Sequence, residues 1–202
     1  MKILGLTGSV GMGKSTAAAM LCHMGVPIYD ADAAVHRMMR RGGIAVAPVA
    51  AAFPGVEKNG AIDRAELGPR VFGNDAAMKR LESIIHPLVR DDERRFLAAM
   101  RRRKTRLVVM DVPLLFESGR DRRYDSTMVV TAPEFVQRAR VLKRPGMNPA
   151  RLAAIKARQM PDAEKRRRAD FIVPSGQGRA VTWRALRHVL RTLGAMTPDR
   201  LD

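Results

Sequence analysis

Gly8-Ser9-Val10-Gly11-Met12-Gly13-Lys14-Ser15, with Thr16 directly after it, is the stretch on which the reading of this chain turns. It satisfies G-x-x-x-x-G-K-[ST] in full. An apolar run, residues 2–7, precedes it, and a helix-like run, residues 16–24, follows and is closed by Gly25 at C′. Glycines let the backbone wrap an anion so that successive N–H groups face inward, and a helix starting near Lys14 adds its positive dipole end. In such a strand-loop-helix unit the lysine reaches the β- and γ-phosphates of a nucleotide and the hydroxyl of Ser15 ligates Mg²⁺. The candidate nucleotide-binding residues are therefore Gly8, Gly11, Met12, Gly13, Lys14, Ser15 and Thr16.

Working outward, further short apolar runs at 27–29, 107–110, 126–131 and 171–173 alternate with helical stretches. They lack strict alternation, as strands do when helices cover both faces of a parallel sheet. The expected fold is α/β, a five-stranded parallel sheet flanked by helices. An insertion over about 33–104 reads as helical. Within it Asp63 is an N-cap candidate for a helix over 64–72, Asn74 or Asp75 for the next, and Pro87 predicts a new segment starting at His86-Pro87. Helices are also predicted over 133–143, ending at Arg144-Pro145-Gly146, and over 149–159, with fraying after Gly194.

The 202 residues suit one domain with a lobe or two, and 46% hydrophobic with 28% charged content suits a soluble protein. Aromatics make up only 4%, so Ala, Val, Leu, Ile and Met must build the core. The single cysteine, Cys22, can form no internal disulfide, and no leader-like or membrane-spanning run is visible, which predicts a cytoplasmic protein. The net charge of +17 admits two readings, solvated basic faces or attraction to polyanions. A nucleic-acid-binding ATPase is the rival that the charge suggests. Few aromatics are present for base stacking, and no nucleic acid or membrane partner is expected.

Carboxylates narrow the chemistry. Tyr29-Asp30-Ala31-Asp32 follows the second strand, at the strand end that faces the ligand crevice in parallel sheets. Asp32 there can orient an acceptor hydroxyl and take its proton, the reading favoured for it over capping, while Asp30 can equally cap the following helix. The third strand ends at Asp111, in Asp111-Val112-Pro113-Leu114-Leu115-Phe116-Glu117, the arrangement in which a carboxylate holds Mg²⁺. Neither N-K-x-D with D-x-x-G nor an LSGGQ-like signature occurs, which sets aside GTPases and ABC-type ATPases.

These segments, with Gly60-Ala61-Ile62-Asp63-Arg64, His86-Pro87-Leu88-Val89-Arg90, Gln159-Met160-Pro161 and Lys165-Arg166, resemble the dephospho-CoA kinases over about residues 3–176. The resemblance implies a P-loop kinase that uses ATP to phosphorylate the ribose 3′-hydroxyl of dephospho-CoA. It implies a core over about 1–32, 105–133 and 169–194, a helical CoA-binding lobe over 33–104 and a lid over 134–168. It further implies Asp32 as base, Arg140 and Arg144 as lid arginines on the ATP phosphates, and Ser15 with Asp111 at Mg²⁺. His86, Arg90 and Leu115 become substrate-binding candidates; His86 could instead make a buried hydrogen bond, and Arg90 could pair with a carboxylate of the 111–117 segment. Arg151, Arg167 and Arg168 are expected to be solvated. Three departures stand out: Ser9 and Met12 in the loop, Pro145 after Arg144, and Pro174-Ser175-Gly176 where the family often has Asp-Asn. A shikimate-type kinase is the nearest rival, but Val112-Pro113-Leu114-Leu115 stands where a triple-glycine loop is needed. A P-loop protein without turnover fits poorly with Lys14, Ser15, Asp32 and Asp111 together.

Overall fold

A computed structural model of the chain describes residues 1–119 and 121–195. In chain order, β1 (Lys2–Thr7) leads through the glycine loop into α1 (Lys14–His23) and β2 (Ile28–Asp30). There follow α2 (Ala31–Met39), α3 (Val46–Ala52), β3 (Glu57–Lys58), β4 (Ala61–Ile62), α4 (Arg64–Val71) and the long α5 (Asp75–Arg102). The chain then runs through β5 (Leu107–Asp111), β6 (Ser126–Thr131), α6 (Glu134–Leu142), α7 (Pro149–Ala157), α8 (Asp162–Arg168), β7 (Phe171–Pro174) and α9 (Arg179–Thr192).

Five strands form one sheet in the order β2-β5-β1-β6-β7, with β1 central and parallel to both β5 and β6. Its residues are buried on both faces, which is why their sequences are apolar without alternation. Leu4 and Leu6 of β1, Val109 of β5 and Val130 of β6 pack with Ala17 and Leu21 of α1 and Leu186, Val189 and Leu190 of α9. The register sets Leu6 opposite Asp111, so β5 delivers its carboxylate beside the strand end from which the glycine loop departs.

The chain divides into two units, residues 1–29 with 100–195, and residues 30–99. The second has its own apolar interior, including Met38, Val49, Phe53, Val56, Leu67 and Val71. Asp30 caps α2 by accepting from the Ala33 amide at 2.9 Å, Asp63 caps α4 through the Ala65 amide, and Asn74 Oδ1 accepts from the Ala77 amide.

Three expectations for this unit need correction. Pro87 starts no new segment; it lies inside α5, which runs unbroken for 28 residues. Pro87 and Ser83, whose carbonyl loses its partner, are both exposed, so water can satisfy what the proline leaves open. His86 is exposed as well and makes no buried hydrogen bond. Nor is the insertion wholly helical: β3 and β4 pair as a hairpin across Asn59 and Gly60, whose φ values of +54° and +78° suit a two-residue Asn-Gly turn. The fraying expected after Gly194 falls mostly on residues outside those described.

Candidate active site

The glycine loop is shaped by its own residues and gripped from outside. Gly11 and Gly13 sit at φ +75° and +89°, where side chains are strained. A Cβ on Gly11 would overlap Val141 of α6, and one on Gly8 would come within 2.8 Å of the Val130 carbonyl. Gln137 Nε2 donates to the Val10 carbonyl at 2.8 Å, and the Val10 amide donates to Gln159 Oε1 at 3.1 Å. Met12 is buried and its Sδ accepts from the Ala132 amide at 3.1 Å, which explains how methionine is accommodated inside the loop. No side chain among the described residues caps α1, so its N-terminal amides keep the capacity to receive an anion.

Lys14 forms an ion pair with Asp111, which is 5% exposed. Ser15 and Thr16 lie exposed at the start of α1. The rest of the Asp111-to-Glu117 segment is divided between core and scaffold. Leu115 is fully buried, packed where a Cβ on Gly5 would meet it, and so presents no surface to a ligand as the sequence reading expected. Glu117 pairs with Lys165 at 2.8 Å and accepts from the Met160 amide at 2.8 Å. Burial works against charge on Glu117, but the Lys165 ammonium and the backbone amides outweigh it and hold the carboxyl below its ordinary 4.5.

Arg140, on α6, reaches the loop: Nη1 donates to Ser175 Oγ at 2.9 Å and Nη2 to the Ser175 carbonyl at 2.7 Å. Arg144 is exposed beyond the end of that helix. Arg151 and Arg167 are exposed as expected; Arg168 is not simply solvated, since it pairs with Asp121 at 3.1 Å and lies over the Phe116 ring. A cleft of about 380 Å³ opens beside the loop, lined in part by Ser9, Met12, Gln137, Gln159 and Asp162. In the second unit Asp30 is spent on capping α2, whereas Asp32 stands exposed in that helix's first turn. His86 and Arg90 are exposed on α5. The first unit thus brings together the glycine loop, Lys14, Ser15, Asp111 and Arg140. The contacts of Gln137 and Ser175 with the loop and the pairing of Lys165 with Glu117 were not foreseen, because nothing in local sequence announces a partner.

A parallel sheet with this loop at the end of its central strand, a lysine and a strand-end aspartate beneath it, and an arginine held against it define a P-loop kinase. The dephospho-CoA kinase family profile matches residues 2–179. The dephospho-CoA kinase of Paramagnetospirillum magneticum is 64% identical over 82% of this chain and 78% of its own length, and that of Rhodopseudomonas palustris 48% over the whole of both. A solved structure from Thermus thermophilus superposes with a TM-score of 0.80 at 35% identity, covering 95% of this chain and 97% of that one. The chain belongs to the dephospho-CoA kinase family, and dephospho-CoA kinase activity, the last step of CoA biosynthesis, is its function.

Proposed function

We propose that this activity runs through Asp32 as the base on the ribose 3′-hydroxyl of dephospho-CoA, with Lys14, Arg140 and Arg144 holding the phosphates of ATP. The Lys14–Asp111 pair under the glycine loop is the observation that carries the reading. It supports the reading by setting a lysine and a strand-end carboxylate side by side at the glycine loop, the pairing that a nucleotide phosphate and its cation require. Phosphoryl transfer asks little of the protein beyond position and charge, because negative charge spreads over the equatorial oxygens as the γ-phosphoryl moves. The loop amides and α1 N-terminus cradle the phosphates, and Lys14 and Arg140 offset the charge.

Asp111 and the Ser15 hydroxyl are hard oxygen donors suited to Mg²⁺, and among the described residues no larger cluster of acidic, His or Cys ligands exists. Such a site fits an ion that keeps several waters and shares its shell with substrate phosphates. Bound there, Mg²⁺ would neutralise charge on the β- and γ-phosphate oxygens. Asp32 is supported as base by division of labour: Asp30 already caps α2, which leaves Asp32 exposed in the first turn after the strand, with its carboxylate uncommitted among the described residues. Dephospho-CoA is assigned to residues 30–99, with His86 and Arg90 as contacts for its phosphates. No helix of the described residues is long and apolar enough to cross a membrane, in keeping with the cytoplasmic setting we assign.

The test is ADP release from ATP by wild type and Asp32→Asn, with dephospho-CoA, shikimate or no acceptor, with Mg²⁺ or with EDTA. Turnover is expected with dephospho-CoA and Mg²⁺ alone. Asp32→Asn is expected to keep ATP binding and lose about 10²-fold or more in kcat. Near-normal turnover by that variant would remove Asp32 from the role, and full activity in EDTA would remove the metal.

A further inference from the structure

Ser175 stands where the family often carries a different residue pair, and its side chain turns inward onto the glycine loop. It follows β7, extends the sheet through its amide to the Thr131 carbonyl at 2.8 Å, and is 7% exposed. Its Oγ donates to the Met12 carbonyl at 2.6 Å and accepts from Arg140 Nη1 at 2.9 Å, while its own carbonyl accepts from Arg140 Nη2 at 2.7 Å. The direction of this relay is forced. A guanidinium can only donate, so the serine hydroxyl must spend its one hydrogen on Met12.

We infer that Ser175 is the positioning residue that sets Arg140 against the phosphate-binding loop before nucleotide arrives. The inference rests on Arg140 acting on the ATP phosphates as proposed above. Three facts carry it. Both terminal nitrogens of Arg140 are anchored on one residue, which fixes the plane of the guanidinium and leaves its other N–H groups for an anion. The same serine fixes the carbonyl of Met12, so the arginine and the loop share one reference point. That point lies at the glycine preceding the lysine: a Cβ on Gly13 would come within 2.8 Å of Ser175 Oγ and 3.5 Å of Arg140 Nη1. A long side chain on the exposed end of a helix would otherwise have to be ordered at each turnover, a cost that preorganisation removes.

A double-mutant cycle tests this: steady-state kinetics of wild type, Ser175→Ala, Arg140→Ala and the double variant, varying ATP and dephospho-CoA separately. A hydrogen bond to a charged group predicts that Ser175→Ala lowers kcat/KM for ATP about tenfold while the KM for dephospho-CoA stays unchanged. In the Arg140→Ala background the serine substitution is expected to add at most about twofold, because the group it positions is gone. Equal losses in both backgrounds would overturn the inference and reduce Ser175 to a prop for the loop. A smaller folded fraction gives that same equal loss, because it lowers kcat by one factor in either background. Failure of the underlying reading looks different: Arg140→Ala would then keep wild-type kcat/KM by itself.

Discussion

Lys165 has no solvent-accessible surface, and among the described residues its ammonium is matched by Glu117 alone. Neither Lys165 Nζ nor Glu117 Oε2 has a hydrogen-bond partner among the described residues, so charge holds the pair. Removing the lysine leaves the largely enclosed Glu117 carboxylate without its counter-charge. Lys165→Met is therefore expected to destabilise the protein by about 3–5 kcal/mol, measured by urea denaturation at neutral pH. A loss below about 1 kcal/mol would mean that water reaches Glu117 once the lysine is gone. The same pair gives a pH dependence with a definite sign. Glu117 titrates lower in the folded protein than its ordinary 4.5, so its contribution is present above that value and is lost as pH falls through the depressed one. Wild type is expected to lose stability below pH 4.5 more steeply than Glu117→Gln, which has no proton to take up.

At the scale of elements, α5 is the feature that runs against local preference. Its interior proline forfeits a hydrogen bond, and an exposed interior proline costs about 3 kcal/mol relative to alanine in an isolated helix. Pro87→Ala is expected to stabilise the protein by about 1–3 kcal/mol, read from the denaturation midpoint. A neutral or destabilising result would show that the proline ring itself contributes to packing where it stands. The helix survives because leucine, isoleucine, methionine and phenylalanine recur along one side of it, and tertiary burial overrides the local break. The hairpin of β3 and β4 is the opposite case. Asn59-Gly60 is a strong two-residue turn signal, but strands of two residues are too short for periodicity to reveal them.

Across the whole molecule the charge of +17 meets two polyanionic substrates. A basic field concentrates anions near the surface, and salt screens it within about 10 Å at 0.1 M. Raising NaCl from about 50 to about 500 mM is expected to raise KM for ATP and dephospho-CoA several-fold while kcat changes little. Salt-independent KM values would show that the charges act only on solubility.

The sheet, the phosphate-binding loop and the family were legible in sequence, because each depends on residues adjacent in the chain. A parallel strand buried on both faces is a short apolar run, a loop that wraps phosphate needs glycine where φ is positive, and Asp63 caps the helix that follows it. Meetings across the chain were not legible. Ser175 and the Met12 carbonyl are 163 residues apart, Arg140 and Ser175 are 35 apart, and Lys165 reaches Glu117 across β6 and the helices after it. Leu115 shows the same limit, since the segment that places Asp111 at the loop turns that leucine into the core. Sequence by itself determined which backbone would cradle phosphate and which chemistry would follow. Only the tertiary structure decided which side chains hold that cradle in place, because a hydroxyl, an amide or a buried ammonium finds its partner through strand order and helix packing.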